Sequence, residues 1–276
     1  MPDTSDRPRI LLTGACGDVG RRLRPMLAAA YGPIRLSDVR EPDAIATGET
    51  FVRADLADAD AVRRAVDGVD AIVHLGGYSV EGPWETILAA NVVGLHNLYE
   101  AARVCRVSRV VFASSNHAVG FHPRTATIDH AAQVRPDTRY GVSKAFGEAL
   151  GALYADKHGL RVLNLRIGNV ADAPVDRRRL AIWLHPEDLM QLVRIGLEHP
   201  GLRFETVYGM SDNARAWWDN RRARELGYRP RHRSEDHAPT VLAREEPADP
   251  VGDRFQGGTY CSQEFTHDPS LAGPRA

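Results

Sequence analysis

Tyr140 and Lys144 stand four residues apart in "YGVSK". On a helix that spacing puts both side chains on one face, near enough for an ammonium to act on a phenol. A phenol titrates near pH ~10 and is a poor base at neutrality. A neighbouring cation lowers that value and makes a workable acceptor for the proton of an alcohol under oxidation. A tyrosine and a lysine on a solvated face would give the same letters, but composition argues otherwise. Of the 35 lysines and arginines only Lys144 and Lys157 are lysine, so a mere surface cation in this chain is arginine. A compact ammonium that can donate to two ribose hydroxyls is a different tool from a planar guanidinium. Upstream, "FASSNH" supplies Ser114, Ser115, Asn116 and His117 at the end of an apolar run. Ser115 is the hydroxyl chosen to reach a substrate oxygen, Ser114 reads as an ordinary strand serine, and His117 is divided between substrate contact and loop packing.

A second constellation would hold a dinucleotide. "TGACGDVG" places Gly14, Gly17 and Gly20 after the apolar "RILL" and before a helical pattern. Glycines there permit a tight turn and a close backbone approach, and the helix start at Asp18 and Val19 offers unpaired N–H groups to a pyrophosphate. Asp38 ends the next apolar run, where a carboxylate accepts from a ribose hydroxyl pair and repels a 2′-phosphate. That favours NAD over NADP, although Arg21, Arg22 and Arg40 lie nearby. Asp55 and Leu56 of "ADL" suit the adenine amino group and face, with a helix N-cap as the other reading of Asp55. In "HLGG", Leu75, Gly76 and Gly77 let a dinucleotide lie against the backbone.

The run Arg177, Arg178, Arg179 in "DRRRLAIW" reads as a solvated face, a nucleic-acid surface or the grip on an anionic substrate. A formal net charge of −1 removes the global positive field that would favour nucleic acid.

These groups need elements to hold them. Short apolar runs at 9–14, 34–38, 51–56, 71–77, 109–115, 161–168 and 203–209 alternate with helix-like stretches near 19–30, 58–66, 84–104, 139–157 and 186–198. Nearly continuous apolar strands alternating with helices predict an α/β fold, a doubly wound parallel sheet (Rossmann fold) with small C-terminal substrate-capping elements. The expected organisation is a single domain over 1–276. Its NAD-binding core covers 9–168, and substrate-side elements lie at 169–184 and 210–265. A short helix is expected around 217–226, and the last ten residues read as a loose terminus. The start "MPDTSDRPRI" lacks a secretory pattern and no apolar run nears the ~20 residues of a membrane span, so a cytoplasmic protein without membrane contact is expected. Cys16, Cys105 and Cys261 fit neither a disulfide framework nor a zinc site and are expected to be inert, with no metal bound.

Taken together, Gly14, Gly17, Gly20, Asp38, Asp55-Leu56, Asn91 of "NVVGLHN", Ser115 and the Tyr140/Lys144 pair resemble the extended short-chain dehydrogenase/reductase family. That resemblance implies an NAD-bound Rossmann domain in which Tyr140 is the base, Lys144 holds the nicotinamide ribose, Ser115 positions substrate and Asn91 supports a proton relay. Within it, "VHLGGYSVEGPWETILAANVVGLHNLYEAAR", "VFASSNHAVGFHPR", "RYGVSKAFGE", "WWDN" and "RFQGGTY" are similar to the uronate dehydrogenases almost end to end. The likeness implies a sugar acid substrate, oxidised at C1 and contacted by Ser79, Ser115, Asn116, His117 and Tyr140. It adds an arginine in the loop after strand six, matched to Arg178 through the anchor Trp183. Where those enzymes usually carry serine, this chain has Asn169. Oxidation of another aldose, a nucleotide-sugar epimerase or dehydratase activity, and a non-catalytic NAD-sensing role stay open from sequence, as does homo-oligomerisation.

Overall fold

The computed structural model describes residues 7–268. The start of the N-terminal segment and most of the last ten residues, on which two of the expectations above bear, lie outside the described residues.

Seven strands form one parallel sheet in the order β3-β2-β1-β4-β5-β6-β9. They are β1 (Ile10–Thr13), β2 (Ile34–Asp38), β3 (Glu49–Arg53), β4 (Ala71–His74), β5 (Arg109–Ser115), β6 (Arg161–Ile167) and β9 (Phe204–Gly209). The order reverses between β1 and β4, whose register pairs Thr13 with His74, and the cleft at such a reversal is where this fold binds ligands. β1 and β4 are buried along their whole length, which is why they read as unbroken apolar runs rather than alternating ones.

Helices cover both faces. α1 (Asp18–Tyr31) and α7 (Pro186–Glu198) pack Leu23, Leu27, Leu189 and Val193 on one side of the sheet. α2 (Ala59–Val66), α4 (Gly94–Val104) and α5 (Arg139–His158) pack Val62, Leu98 and Tyr154 on the other. Local chemistry sets their ends. The Asp58 side chain caps α2 and that of Thr138 caps α5, while Gly159 closes α5 in the left-handed conformation at φ 70°. α3 (Trp84–Ile87) runs into α4 through a π-helical stretch, Leu88–Val93.

Beyond the sheet, β7 (Asn169–Val170) and β8 (Trp183–Leu184) pair in parallel, bracketing α6 (Arg177–Ile182). The arginine run expected in a loop is therefore helical. Asp176 caps it by accepting from the Arg179 N–H at 2.7 Å. The helix expected over 217–226 shortens to α8 (Arg221–Glu225), because Trp218 is buried and bridges to Ile128 instead. α9 (Ala238–Leu242) and α10 (Thr259–Ser262) complete the substrate side. Among the described residues no helix is long and apolar enough to cross a membrane.

Candidate active site

The turn from β1 to α1 leaves no room for side chains. Gly14 has φ +67°, and a Cβ there would sit 2.7 Å from the Gly76 nitrogen; one on Gly20 would meet the Gly14 carbonyl oxygen at 2.2 Å. α1 then begins at Asp18 without a side-chain cap at Gly17, so its first N–H groups are available to an anion. A cleft of about 400 Å³ opens there, bounded by Gly14 and the 17–20 turn, by Asp38, by Asp55 and Leu56, and by Leu75, Gly76, Gly77 and Ser79. Asp38 is steadied from its own backbone surroundings, accepting from the N–H groups of Cys16 (3.0 Å) and Arg40 (3.1 Å). Arg22 turns away to Asp18 and Asp172, while Arg40 remains beside Asp38 on the cleft wall. Asp55 is exposed and folds over its own turn to accept from the Ala57 N–H, whereas the cap of α2 falls to Asp58. The donor set suits a dinucleotide: bare N–H groups for a pyrophosphate, an aspartate for a ribose diol and a small-residue floor.

α5 carries Tyr140 and Lys144 into the carboxyl ends of β4 and β5, both side chains buried. The Ser115 hydroxyl acts to lower the phenol, yet burial dominates and pushes Tyr140 up to about 12. This corrects the expectation that Lys144 lowers the phenol. The Lys144 ammonium donates to the Ala113 carbonyl at 2.7 Å and lies 5.4 Å from the centroid of the Tyr140 ring, and its own burial lowers it to about 8. Asn91 sits in the π-helical stretch, with Nδ2 donating to the Tyr78 carbonyl (2.9 Å) and Ser143 Oγ (3.0 Å) and Oδ1 accepting from the Tyr78 N–H (2.7 Å). Its side chain clamps the β4 loop to α5 rather than standing free for a relay.

On the far side of Tyr140, α6 aims Arg178 inward. Nε donates to the Gln256 carbonyl at 2.9 Å. With the Asn116 amide oriented to satisfy its neighbours, Asn116 accepts from Arg178 Nη2 at 2.9 Å and donates to the Ile167 carbonyl at 3.1 Å. Among the described residues no carboxylate lies within ion-pair distance of Arg178, and burial pushes its guanidinium down to about 10. Arg177 and Arg179 do otherwise. Arg177 is exposed and donates to the Leu242 and Arg244 carbonyls, and Arg179 pairs with Asp176.

Residues 10–180 match the NAD dependent epimerase/dehydratase family. The chain belongs to that family. It is 45% identical over 256 residues to the uronate dehydrogenase of Pseudomonas syringae pv. tomato, covering 92% of this chain and 93% of that one. Among solved structures it resembles the glucuronic acid dehydrogenase of Chromohalobacter salexigens at a TM-score of 0.90 and 42% identity, covering 96% of this chain and 99% of that one. A mutant uronate dehydrogenase of Agrobacterium tumefaciens complexed with NAD gives a TM-score of 0.89 at 42% identity, covering 93% and 97%.

On this epimerase/dehydratase scaffold the other sequence candidates are placed as follows. Ser79 is exposed at the cleft rim, Asn169 is half-buried in β7 directly after β6, and His117 is buried with Nδ1 2.7 Å from Asp137 Oδ2. Ser114 bonds Glu148 Oε1 at 2.6 Å and faces away from the site. Four residues escaped sequence reasoning. Asp137 holds His117; Glu81 accepts from the Tyr140 N–H (2.9 Å) and from Arg139 (2.6 Å); Tyr260 stacks on His117 with ring centroids 4.0 Å apart; Gln256 supplies the Arg178 acceptor. The motif "RFQGGTY" signalled the last two, and Asp137-Thr138 before a helix was a readable capping pattern for the first.

Proposed function

We propose that the protein oxidises the C1 hemiacetal of a hexuronic acid, D-glucuronate or D-galacturonate, to the aldarolactone with NAD as acceptor. NAD bound in the β1/β4 cleft supplies the hydride acceptor. Gly14, Gly17, Asp18, Val19 and Gly20 would hold its pyrophosphate, Asp38 its adenosine ribose, Asp55 and Leu56 its adenine, and Leu75, Gly76 and Gly77 its underside. Ionised Tyr140, its phenolate stabilised by the Ser115 hydroxyl and by the Lys144 ammonium beside the ring, takes the anomeric hydroxyl proton and becomes the neutral phenol. Asn91 keeps the loop bearing Ser79 in register with α5. Ser79, Asn116, His117 and Asn169 face the sugar.

The observation that carries this reading is Arg178, a half-buried guanidinium fixed by two neutral partners and with no carboxylate of the described chain within ion-pair distance. A desolvated cation left open is costly unless a ligand anion completes it. A sugar carboxylate reaching Arg178 while C1 lies at Tyr140 fits that demand. The same reading assigns 9–168 to the cofactor and 169–184 with 210–265 to the substrate, within one domain over 1–276 acting in the cytoplasm. The test follows NADH absorbance with D-glucuronate, D-galacturonate, D-glucose and D-galactose. Both uronates are expected to react well and both neutral hexoses poorly; equal rates on all four would sink the reading.

A further inference from the structure

Asp137 is the carboxylate that the oxidation does not use. Its side chain is fully shielded from solvent, and among the described residues no arginine or lysine pairs with it. Space for it is made by glycine. A Cβ on Gly120 or Gly257 would fall 1.8 or 1.9 Å from Asp137 Oδ2, and one on Gly141 would fall 3.2 Å from Oδ1. The carboxylate is thus enclosed by three separate segments: the turn after β5, the start of α5 and the strap at 254–260. Inside that cradle its acceptors are assigned. Thr138 Oγ1 takes the Gly141 N–H at 3.0 Å as cap of α5, so its own proton goes to Asp137 Oδ1 at 3.0 Å. Oδ2 faces His117 Nδ1 at 2.7 Å, with the Cys261 thiol at 3.9 Å. An ionised carboxylate only accepts, so the proton between them sits on Nδ1. Tyr260 stacks on the imidazole at 4.0 Å and the Tyr140 ring meets its edge at 5.9 Å, which leaves Nε2 as the ring nitrogen with no partner among the described residues.

We propose that Asp137 is a positioning residue that fixes neutral His117 as the Nδ1–H tautomer, making Nε2 the acceptor for the C2 hydroxyl of the sugar. The proposal rests on the uronate reading above. With C1 at Tyr140, a pyranose offers two neighbouring atoms on the ring, C2 and the ring oxygen. The ring oxygen has no proton to give, so a lone pair beside Tyr140 is matched by the C2 hydroxyl alone. The carboxylate, carried on C5 beyond the ring oxygen, goes to Arg178.

Asp137→Asn makes a sharp test because Thr138 dictates how the amide turns. Thr138 keeps donating to the amide oxygen, the NH₂ then faces Nδ1, and His117 is driven to the Nε2–H tautomer, which no longer accepts. Two readouts follow. Histidine ¹⁵N spectra are expected to show His117 protonated on Nδ1 in the wild type and on Nε2 in Asp137→Asn. The wild type is expected to favour D-glucuronate over 2-deoxy-D-glucuronate in kcat/KM by at least about tenfold, and Asp137→Asn to bring the two within about threefold. His117→Phe keeps the stack on Tyr260 and removes both nitrogens, and it is expected to erase the preference in the same way, so a misfolded Asp137→Asn would not spare the idea. Discrimination unchanged in the variants, or His117 carrying a proton on Nε2 in the wild type, overturns the proposal. A wild type inert toward both uronates defeats the functional reading instead, and the tautomer spectra still test the Asp137–His117 pairing.

Discussion

Two arginines, one buried and one half-buried, solve opposite problems. Arg166, on β6, has a side chain only 4% exposed and meets Glu148 in a bidentate pair at 2.9 and 2.8 Å, with Ser114 adding a third bond to the same carboxylate. Burial alone would lower its pKa, but the Glu148 hydrogen bonds and charge win and hold it above its ordinary value. Arg178 is half-buried with only a carbonyl and an amide in hydrogen-bond contact, and there burial, helped by the Arg124 charge, outweighs the more distant Asp137 carboxylate and lowers it. Charge at Arg166 is spent inside the molecule, locking α5 to the sheet behind Tyr140 and Lys144. Charge at Arg178 stays open to a ligand. Burial by itself therefore says nothing about function; the presence or absence of an internal counter-ion does.

The contrast can be broken from either end. Glu148→Gln leaves Arg166 buried and unpaired, and is expected to cost about 3–5 kcal/mol in denaturant-measured stability. Lys144 is a second buried cation and, like Arg178, has no carboxylate within ion-pair distance among the described residues. Its folded-state pKa of about 8 lies below the ordinary lysine value, so the folding penalty is full below pH 8 and disappears as pH rises through the unfolded value. Wild-type stability is thus expected to climb by up to about 3 kcal/mol across that window, relative to a flat Lys144→Met profile. Arg178→Met is expected to lose about 1.5–3 kcal/mol of transition-state binding, or roughly 10- to 150-fold in kcat/KM for uronates, while melting no lower than the wild type. Arg177→Met, next door but exposed, is expected to change both stability and kcat/KM by less than about 0.5 kcal/mol. Matching small effects at 177 and 178 would abolish the distinction on which the substrate assignment stands.

What the sequence made legible follows the range of the forces involved. The β1 and β4 runs, the turn at Gly14 and the Tyr140/Lys144 face are local, so periodicity and spacing disclose them. Helix α6 was hidden because three arginines read as a charged loop, and the cap that makes them helical is a single aspartate just before the run. The phenol of Tyr140 went the other way from the expectation because desolvation is a property of everything packed around it, whereas spacing reports only its helical neighbour. Asp137, Glu81, Tyr260 and Gln256 are defined by partners from distant parts of the chain. His117 and Tyr260 meet across 143 positions, and no window of residues records that.

Gln256 has no exposed surface, and its side chain is fully occupied holding Trp218 and the Pro123 and Ala126 carbonyls. Its service to Arg178 is rendered by the main chain. No substitution at 256 can delete that oxygen; it can only be moved. The guanidinium is therefore insensitive to the chemical identity of the residue that aims it and sensitive to the path of the backbone there. An inserted residue or a proline in the 254–258 strap would mis-aim the anion site from positions whose side chains need never touch a sugar.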